Sequence, residues 1–288
     1  MTTSTGTLID AIPFLGAGLG YRVEIAAEIH RHADEIDWLE IIAEKFLGRG
    51  GGHAALLAQL RELRPVVPHG ISLSIGTAEP TAADVDYERD LCALADAVDA
   101  PYVSDHICFT RADGVEALQL MPLPRTREAV DVIARRARRL QQALARPIVL
   151  ENISNAYDPA STMSETDFIE AVVEEAGCGL LLDLANVCNN AANYHFDPME
   201  YVDALPLERV VQVHLAGGHW DGRWMQDSHS TSVKDDVWQL FEHVTSRTVV
   251  RAAMVERDQA FPEDFEQLLD EVRRIKAVLS RPASVSAR

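Results

Sequence analysis

Short apolar runs alternate along the chain with longer amphipathic stretches. Eight runs are rich in Val, Ile and Leu, at residues 14–21, 36–42, 66–75, 101–105, 147–151, 179–183, 209–215 and 248–256. The segments between them have apolar residues at helical spacing, as in 23–33 and, most clearly, in 126–145. There Val130, Ile133 and Ala137 lie on one stripe that continues through Leu140 and Leu144. The pattern predicts a strand followed by a helix, repeated about eight times.

This repetition, in a chain of 288 residues, indicates an α/β protein of the (β/α)8 TIM-barrel type with a single domain. We expect the barrel over 13–279, with a flexible N-terminus at 1–12 and a flexible tail at 280–288. The structural alternative is an open, doubly wound sheet. Its dinucleotide-binding motif, GxGxxG, is not found after the first run, and the glycines at 16, 18 and 20 within that run have the wrong spacing for it.

Three helix starts have local signals. Ser164 is followed three residues later by Asp167, and Ser232 by Asp235, which is the spacing of a capping box. Pro262, followed by two acidic residues, is expected to open the last helix, since proline fits the first turn and acids favour its positive end.

Composition and charge narrow the classes of function. The chain has 26 basic and 45 acidic residues, a formal net charge of −19, which argues against nucleic acid as a partner. The acidic surface suits solubility or a basic partner. Four cysteines lack any CxxC pair, residues 1–10 do not resemble a signal peptide, and no apolar run is long enough for a bilayer. We therefore expect a cytoplasmic protein that does not contact membranes.

The apolar runs end in residues that can bind metals. Interiors of parallel strands are apolar, so polar residues at their carboxyl ends are typical of a barrel's active site. A single histidine there is more often a hydrogen-bonded structural residue, and Asp183 and Asn186 could be helix caps. Glu40 also ends a run. Nine residues are candidate metal ligands: His69, His106, Glu151, Asp183, Asn186, His214, Asp227, His229 and Glu256.

Several carboxylates buried together repel one another and need cations. Few Lys or Arg lie in these motifs, so metal ions are the simplest explanation. Imidazole and carboxylate without thiolate suit Fe, Mn or Zn. Glu151 and Glu256 could bridge two ions, and nine ligands exceed the needs of one. Cys108 and Cys188 lie near this set but are interpreted as small buried hydrophobic residues.

These motifs, taken together and in order, resemble those of the multinuclear non-haem iron-dependent oxidative enzymes (the MNIO family). The resemblance covers about residues 16–279. It rests on the segments 18–22 (GLGYR), 69–76 (HGISLSIG), 104–106 (SDH), 121–124 (MPLP), 150–152 (LEN), 181–186 (LLDLAN), 214–217 (HLAG), 227–229 (DSH) and 255–257 (VER).

The resemblance implies a TIM barrel in which the same nine residues bind two or three iron ions in mixed Fe(II)/Fe(III) states. His106, Glu151, Asp183 and Glu256 are expected to be catalytic as well. The implied activity is an oxidase or oxygenase that uses O2 as co-substrate to modify cysteine in a ribosomally synthesised precursor peptide. A small partner protein that binds the leader of this peptide is also implied.

Three alternatives remain at this point. A zinc- or manganese-dependent hydrolase of the endonuclease IV type has a similar ligand set, but the charge of −19 disfavours DNA. An isomerase of the xylose isomerase type binds its metals mainly through carboxylates, which the abundance of histidine disfavours. A non-enzymatic module that stores metal or binds peptide would leave no coordination position open and would consume no O2.

Overall fold

Eight parallel strands form a closed barrel in the computed structural model, which describes residues 8–155 and 157–281. These strands are β1 (Gly16–Gly20), β2 (Trp38–Ile42), β3 (Val66–His69), β4 (Val103–His106), β7 (Ile148–Glu151), β8 (Gly179–Asp183), β9 (Val210–Leu215) and β12 (Ala252–Val255). Their order around the barrel is β1-β12-β9-β8-β7-β4-β3-β2. The predicted TIM barrel with one domain is confirmed.

Helices cover the outside of the barrel. They are α1 (Ala26–Arg31), α2 (Gly52–Leu63), α3 (Ala82–Ala97), α4 (Arg127–Leu144), α5 (Glu165–Ala176), α6 (Leu184–Tyr194), α7 (Pro198–Asp203), α8 (Asp235–Arg247) and α9 (Glu266–Leu279). The apolar stripe of α4 is buried, as its spacing predicts. A large apolar cluster joins such stripes to the outward faces of the strands. None of the helices described is long and apolar enough to cross a membrane.

The helix starts agree only in part with their sequence signals. Ser164 caps α5, since its hydroxyl accepts a hydrogen bond of 3.1 Å from the Asp167 amide. The predicted cap at Ser232 is wrong, because α8 begins at Asp235 after an extended Lys234. The Val233 amide donates instead to Glu271 on α9, which keeps this connection extended. The last helix begins at Glu266, later than Pro262 suggested.

The barrel interior has an apolar lower layer and a polar upper layer. Side chains two positions apart on a strand point to the same side. In β2 this places Trp38 below Glu40, and in β7 it places Val149 below Glu151. The inner apolar cluster also contains Val67, Tyr102, Leu181, Val211, Ala252 and Met254. The carboxyl ends of the strands therefore project polar residues into the upper part of the barrel.

The lower end is closed by the segment that precedes β1. Leu8–Ala11 form a 3-10 helix, and Ile9 and Ile12 are buried within the inner apolar cluster. Of the predicted tails at 1–12 and 280–288, residues 1–7 and 282–288 lie outside the described residues. Within the second tail, Arg281 pairs with Glu242 at 3.5 Å.

Two antiparallel hairpins extend from the upper end, and neither was predicted. The first consists of β5 (Phe109–Ala112) and β6 (Val115–Met121), after β4; the second consists of β10 (Gly217–Trp220) and β11 (Met225–Thr231), after β9. Each turn contains an Asp-Gly pair, at 113–114 and 221–222. Asp113, Gly114 and Gly222 have positive φ, which such tight turns require.

Gly18 allows β1 to pack closely against Trp38. A Cβ added at Gly18 would overlap the indole ring of Trp38. This side chain is fully buried and donates from Nε1 to the Gly16 carbonyl at 3.1 Å. Gly18→Ala is expected to lower the free energy of unfolding by about 2–3 kcal/mol, because the indole must shift. Urea denaturation measures this. Gly52→Ala is the control, since its added Cβ meets no atom within 4 Å; equal stability of the two variants would contradict the packing argument.

Candidate metal centre

Seven of the nine predicted ligands lie in one connected cluster at the upper end of the barrel. Their potential donor atoms form overlapping groups in which all atoms lie within 4.8 Å of one another. One group is His69, His106 and Glu151. A second is Glu151, Asp183, His214 and Glu256. A third is His229, Glu256 and Asp258, and a fourth is Glu40, His69 and Glu256.

Glu151 lies between two of these groups. Its Oε2 is 3.5 Å from His69 Nε2 and 3.4 Å from His106 Nε2. Its other oxygen, Oε1, is 3.6 Å from His214 Nδ1. The two oxygens therefore face different sets of imidazoles, which is the arrangement of a bridging carboxylate.

Glu256 has a corresponding position on the opposite side of His214. Its Oε2 is 2.9 Å from His214 Nδ1 and 3.4 Å from His229 Nδ1. Because Glu256 belongs to three of the four groups, it is the most connected carboxylate of the cluster.

Asp183 and Asn186 each make a structural hydrogen bond and still have one side-chain oxygen that could bind a metal ion. Asp183 caps α6, since its Oδ1 accepts from the Asn186 amide at 2.7 Å. The Asn186 side chain donates to the Asn152 carbonyl at 3.1 Å. Asp183 Oδ2 and Asn186 Oδ1 are nevertheless buried without a hydrogen-bond partner among the described residues. The cap interpretation and the ligand interpretation are therefore compatible.

Asp227 lies at the edge of the cluster. It contacts His229, with 2.7 Å between Oδ1 and Nε2, and its side chain is 27% exposed. It belongs to none of the four groups, but its charge is close enough to help raise the pKa of Asp183.

Three further residues belong to the site but were not among the predicted ligands. Glu40 Oε2 is 3.1 Å from His214 Nε2, and Asp258 Oδ2 is 3.1 Å from His229 Nδ1. Arg22 binds Asp258 and lies 3.9 Å from Glu256 Oε1. Position offered a signal for two of them, since Glu40 ends an apolar run and Asp258 follows Glu256 by two residues.

Hydrogen bonds beneath the cluster orient its imidazoles. His69 Nδ1 lies 3.0 Å from the Ser104 hydroxyl, which leaves Nε2 directed at Glu151. Gln212 donates to Glu40 at 2.6 Å and accepts from the Tyr102 hydroxyl at 2.7 Å. Such supporting contacts hold metal-binding side chains in one rotamer and raise the basicity of the atoms that bind the metal.

The electrostatics of the cluster are those of crowded, buried acids and imidazoles. Burial and the neighbouring Glu151 raise the pKa of Asp183 well above its usual value. Burial alone would lower the pKa of His106, but Glu151 and Asp105 raise it to about 9. Glu256 is also buried, yet His229 and His214 hold its pKa well below the usual value. Without metal, the raised pKa values of Asp183 and His106 both make the cluster less negative.

The donor set fits metal ions. Buried polar atoms without a hydrogen-bond partner are rare, and each needs an explanation. Among the described residues, seven of these atoms belong to predicted ligands: His106 Nδ1, Glu151 Oε2, Asp183 Oδ2, Asn186 Oδ1, His214 Nδ1, His229 Nε2 and Glu256 Oε2. His214 Nδ1 lies near Glu256 Oε2, and His229 Nε2 near Asp227 Oδ1, but neither pair has the geometry of a hydrogen bond. Oxygen and imidazole nitrogen suit Fe, Mn or Zn. All four cysteines are free, and burial raises the pKa values of Cys108 and Cys188, as expected for small hydrophobic side chains.

The cluster opens into a cavity of about 470 Å³ at the mouth of the barrel. Its floor is lined by His69, His106, His229 and Glu256. Residues of both hairpins line its walls, and those on β6 are Glu116, Leu118, Gln119 and Leu120. Residues of both hairpins therefore shape this approach to the cluster. A ligand of several residues fits this space.

Solved structures with this barrel include enzymes of several kinds. The structure resembles a D-psicose 3-epimerase from Clostridium cellulolyticum, with a TM-score of 0.61 and 8% identity over 92% of this chain and 99% of that one. It also resembles endonuclease IV from Thermus thermophilus, with a TM-score of 0.58 and 15% identity over 90% of this chain and 98% of that one. At these identities the likeness concerns the fold alone.

Sequence comparison identifies the family. A UPF0276 protein of Caulobacter vibrioides is 39% identical over 280 residues, covering 96% of this chain and 99% of the relative. Residues 16–280 match the family model described as RiPP precursor modification enzyme MbnB/TglH/ChrH, where RiPP denotes a ribosomally synthesised and post-translationally modified peptide. The chain therefore belongs to this family of RiPP precursor modification enzymes, the MNIO family that its motifs indicated.

Proposed function

We propose that this protein is an O2-dependent multinuclear iron enzyme that oxidises cysteine in a ribosomally synthesised precursor peptide. The observation that carries the proposal is the cluster of buried, unpartnered oxygen and nitrogen atoms at the mouth of the barrel. Family membership supplies the peptide substrate.

The nine residues of the initial prediction are proposed to bind two or three iron ions. His69, His106 and Glu151 would hold one ion, and Asp183, His214, Glu151 and Glu256 a second. His229 and Glu256, with Asp258, would hold the third where it is present. Asn186 and Asp227 complete these sets from the side of α6 and β11. The overlap at Glu151 and Glu256 supports adjacent ions rather than separate ones.

When bound, the iron ions would supply the redox chemistry that moves electrons from the substrate to O2 and would favour the thiolate form of a cysteine ligand. The protein's own residues do the remaining work. Glu151 and Glu256 hold neighbouring positions together, Ser104 and Gln212 orient the imidazoles beneath them, and the two hairpins limit access of water. His106 and Glu256 line the cavity, so they are placed to contact the substrate.

We further propose that a small partner protein presents the leader of the precursor peptide. The hairpins and the cavity they line accommodate a segment of the substrate rather than a folded domain. The net charge of −19 also suits a basic segment on a partner or leader.

Turnover of a peptide tests the activity. The enzyme, produced with iron, is incubated with cysteine-containing precursor peptides encoded beside its gene, together with any small protein encoded there. We expect a change in peptide mass that maps to cysteine, requires O2 and is absent under anaerobic conditions. Unchanged mass for these peptides, with the iron cluster intact and O2 present, would show that cysteine oxidation is the wrong reaction for them.

A further inference from the structure

A second cavity with a different charge lies beside the mouth of the barrel. It has a volume of about 440 Å³ and lies beyond the ends of β1 and β2, with Arg22, Lys45, Arg49 and His53 among its lining residues. Phe46, a buried aromatic residue, lines the same cavity. This combination of cations and an apolar wall is distinct from the carboxylate-rich metal centre.

Two of these cations have no charged partner. Most of the arginines that the structure describes contact a carboxylate, as Arg136 and Arg139 do with Glu88. Within the described part of the chain, by contrast, Lys45 and Arg49 form neither an ion pair nor a side-chain hydrogen bond. Lys45 and Arg49 are both exposed and line the same cavity, in a protein whose net charge is −19.

The acids of the cavity do not neutralise them. Asp258 and Glu24 also line it. Asp258 already binds Arg22, through Nε at 2.9 Å, and also contacts His229. Glu24 is exposed and forms no ion pair with either cation among the described residues. The positive charge of Lys45 and Arg49 is therefore available to a ligand.

The cationic cavity adjoins the metal centre. Asp258 lines both the cationic cavity and the cavity above the cluster. Arg22 bridges the same boundary, since it binds Asp258 and lies 3.9 Å from Glu256. A molecule that reaches the cluster with one group can therefore place a neighbouring group beside Lys45 and Arg49.

We propose that Lys45 and Arg49 bind a carboxylate of the substrate peptide, close in its sequence to the residue that enters the metal centre. The inference rests on the proposed function for the class of substrate, because carboxylates are the anionic groups that an unmodified peptide carries. Arginine forms two parallel hydrogen bonds with a carboxylate, and Phe46 contacts the aliphatic part of the same side chain or of the chain end. The carboxylate is either an Asp or Glu side chain or the C-terminus.

Binding of short peptides distinguishes these sources. The probes are acetylated peptides of one cysteine, a glycine spacer of increasing length and a final residue. That residue is glutamate amide, glutamine with a free C-terminus, or glutamine amide. With the metal-loaded protein under anaerobic conditions, calorimetry is expected to give about tenfold tighter binding for at least one charged probe than for the neutral one. Preference for glutamate amide identifies a side chain, and preference for the free C-terminus identifies the chain end.

The double variant Lys45→Met/Arg49→Gln should remove this preference and leave the affinity for the neutral probe unchanged. Arg247→Gln, at the end of α8, is the control that also removes a positive charge, and it should retain the preference. Equal affinity of charged and neutral probes for the unmodified protein, or a preference that survives in the double variant, would overturn the proposal.

The same probes with serine in place of cysteine separate this inference from the proposed function. They cannot supply a thiolate to the metal, but they carry the same carboxylates. If the charge preference persists with serine while the protein contains no iron, the carboxylate site stands and the iron chemistry is wrong. If iron is bound and the cysteine probes bind without any charge preference, the carboxylate site is wrong and the iron assignment stands.

Discussion

Glu256→Gln is expected to remove most of the bound metal and to lower turnover by at least about 100-fold. Glu256 contributes to three of the four groups of potential donor atoms, and His214 and His229 hold its pKa low, so it is charged at neutral pH. The amide has nearly the same shape but loses the charge and one oxygen donor. Metal content by plasma mass spectrometry, together with turnover of the peptide, measures the effect.

The control is Glu271→Gln, which makes the same change at a partly buried carboxylate outside the cluster. Its Oε1 accepts a hydrogen bond from the Val233 amide at 2.8 Å, which an amide oxygen can also accept. This variant should keep its metal and its activity. A near-normal metal content of Glu256→Gln would show that Glu256, at the end of β12, does not bind metal.

His106→Ala is expected to have a smaller effect on metal content but a comparable effect on turnover. His106 belongs to only one group, with His69 and Glu151, so its loss should weaken one ion position and leave the others occupied. Because a partly filled cluster cannot complete the reaction, turnover should fall by about 100-fold or more. Metal analysis and the peptide assay on one preparation separate the two effects.

His30→Ala serves as the matched control, since His30 is an exposed residue of α1. It removes an imidazole without touching the cluster and should be indistinguishable from the unmodified protein. Normal turnover in His106→Ala, or loss of all metal, would contradict the assignment of His106 to a single ion position.

The barrel and the centre of the site could be predicted because they depend on the spacing of apolar residues and on the position of polar residues at the ends of strands. Residues two positions apart on a strand, such as Val149 and Glu151, face the same side, so an apolar inner residue is followed by a candidate ligand above it. Parallel strands then bring residues such as His69 and Glu256 together, although they lie far apart in sequence. In the structure His214 Nδ1 lies 3.6 Å from Glu151 Oε1, although the two residues come from different strands.

The remaining parts of the site depend on tertiary contacts that the pattern does not encode. The charge of Arg22 reaches Glu256 because β1 and β12 are neighbours in the closed barrel. The hairpins were missed although their Asp-Gly turns were visible, because their strands are exposed and lack a clear apolar alternation. Lys45 and Arg49 gave no signal, since only the folded loop after β2 brings them to one cavity.

Elemental analysis shows most directly whether the cluster binds iron, on which the proposed chemistry depends. Protein purified anaerobically from iron-supplemented cells is analysed by plasma mass spectrometry, and the same sample by Mössbauer spectroscopy. We expect two or three iron ions per chain in mixed ferrous and ferric states. Stoichiometric zinc with little iron would contradict the iron assignment and would favour a hydrolase or isomerase that uses much the same ligands.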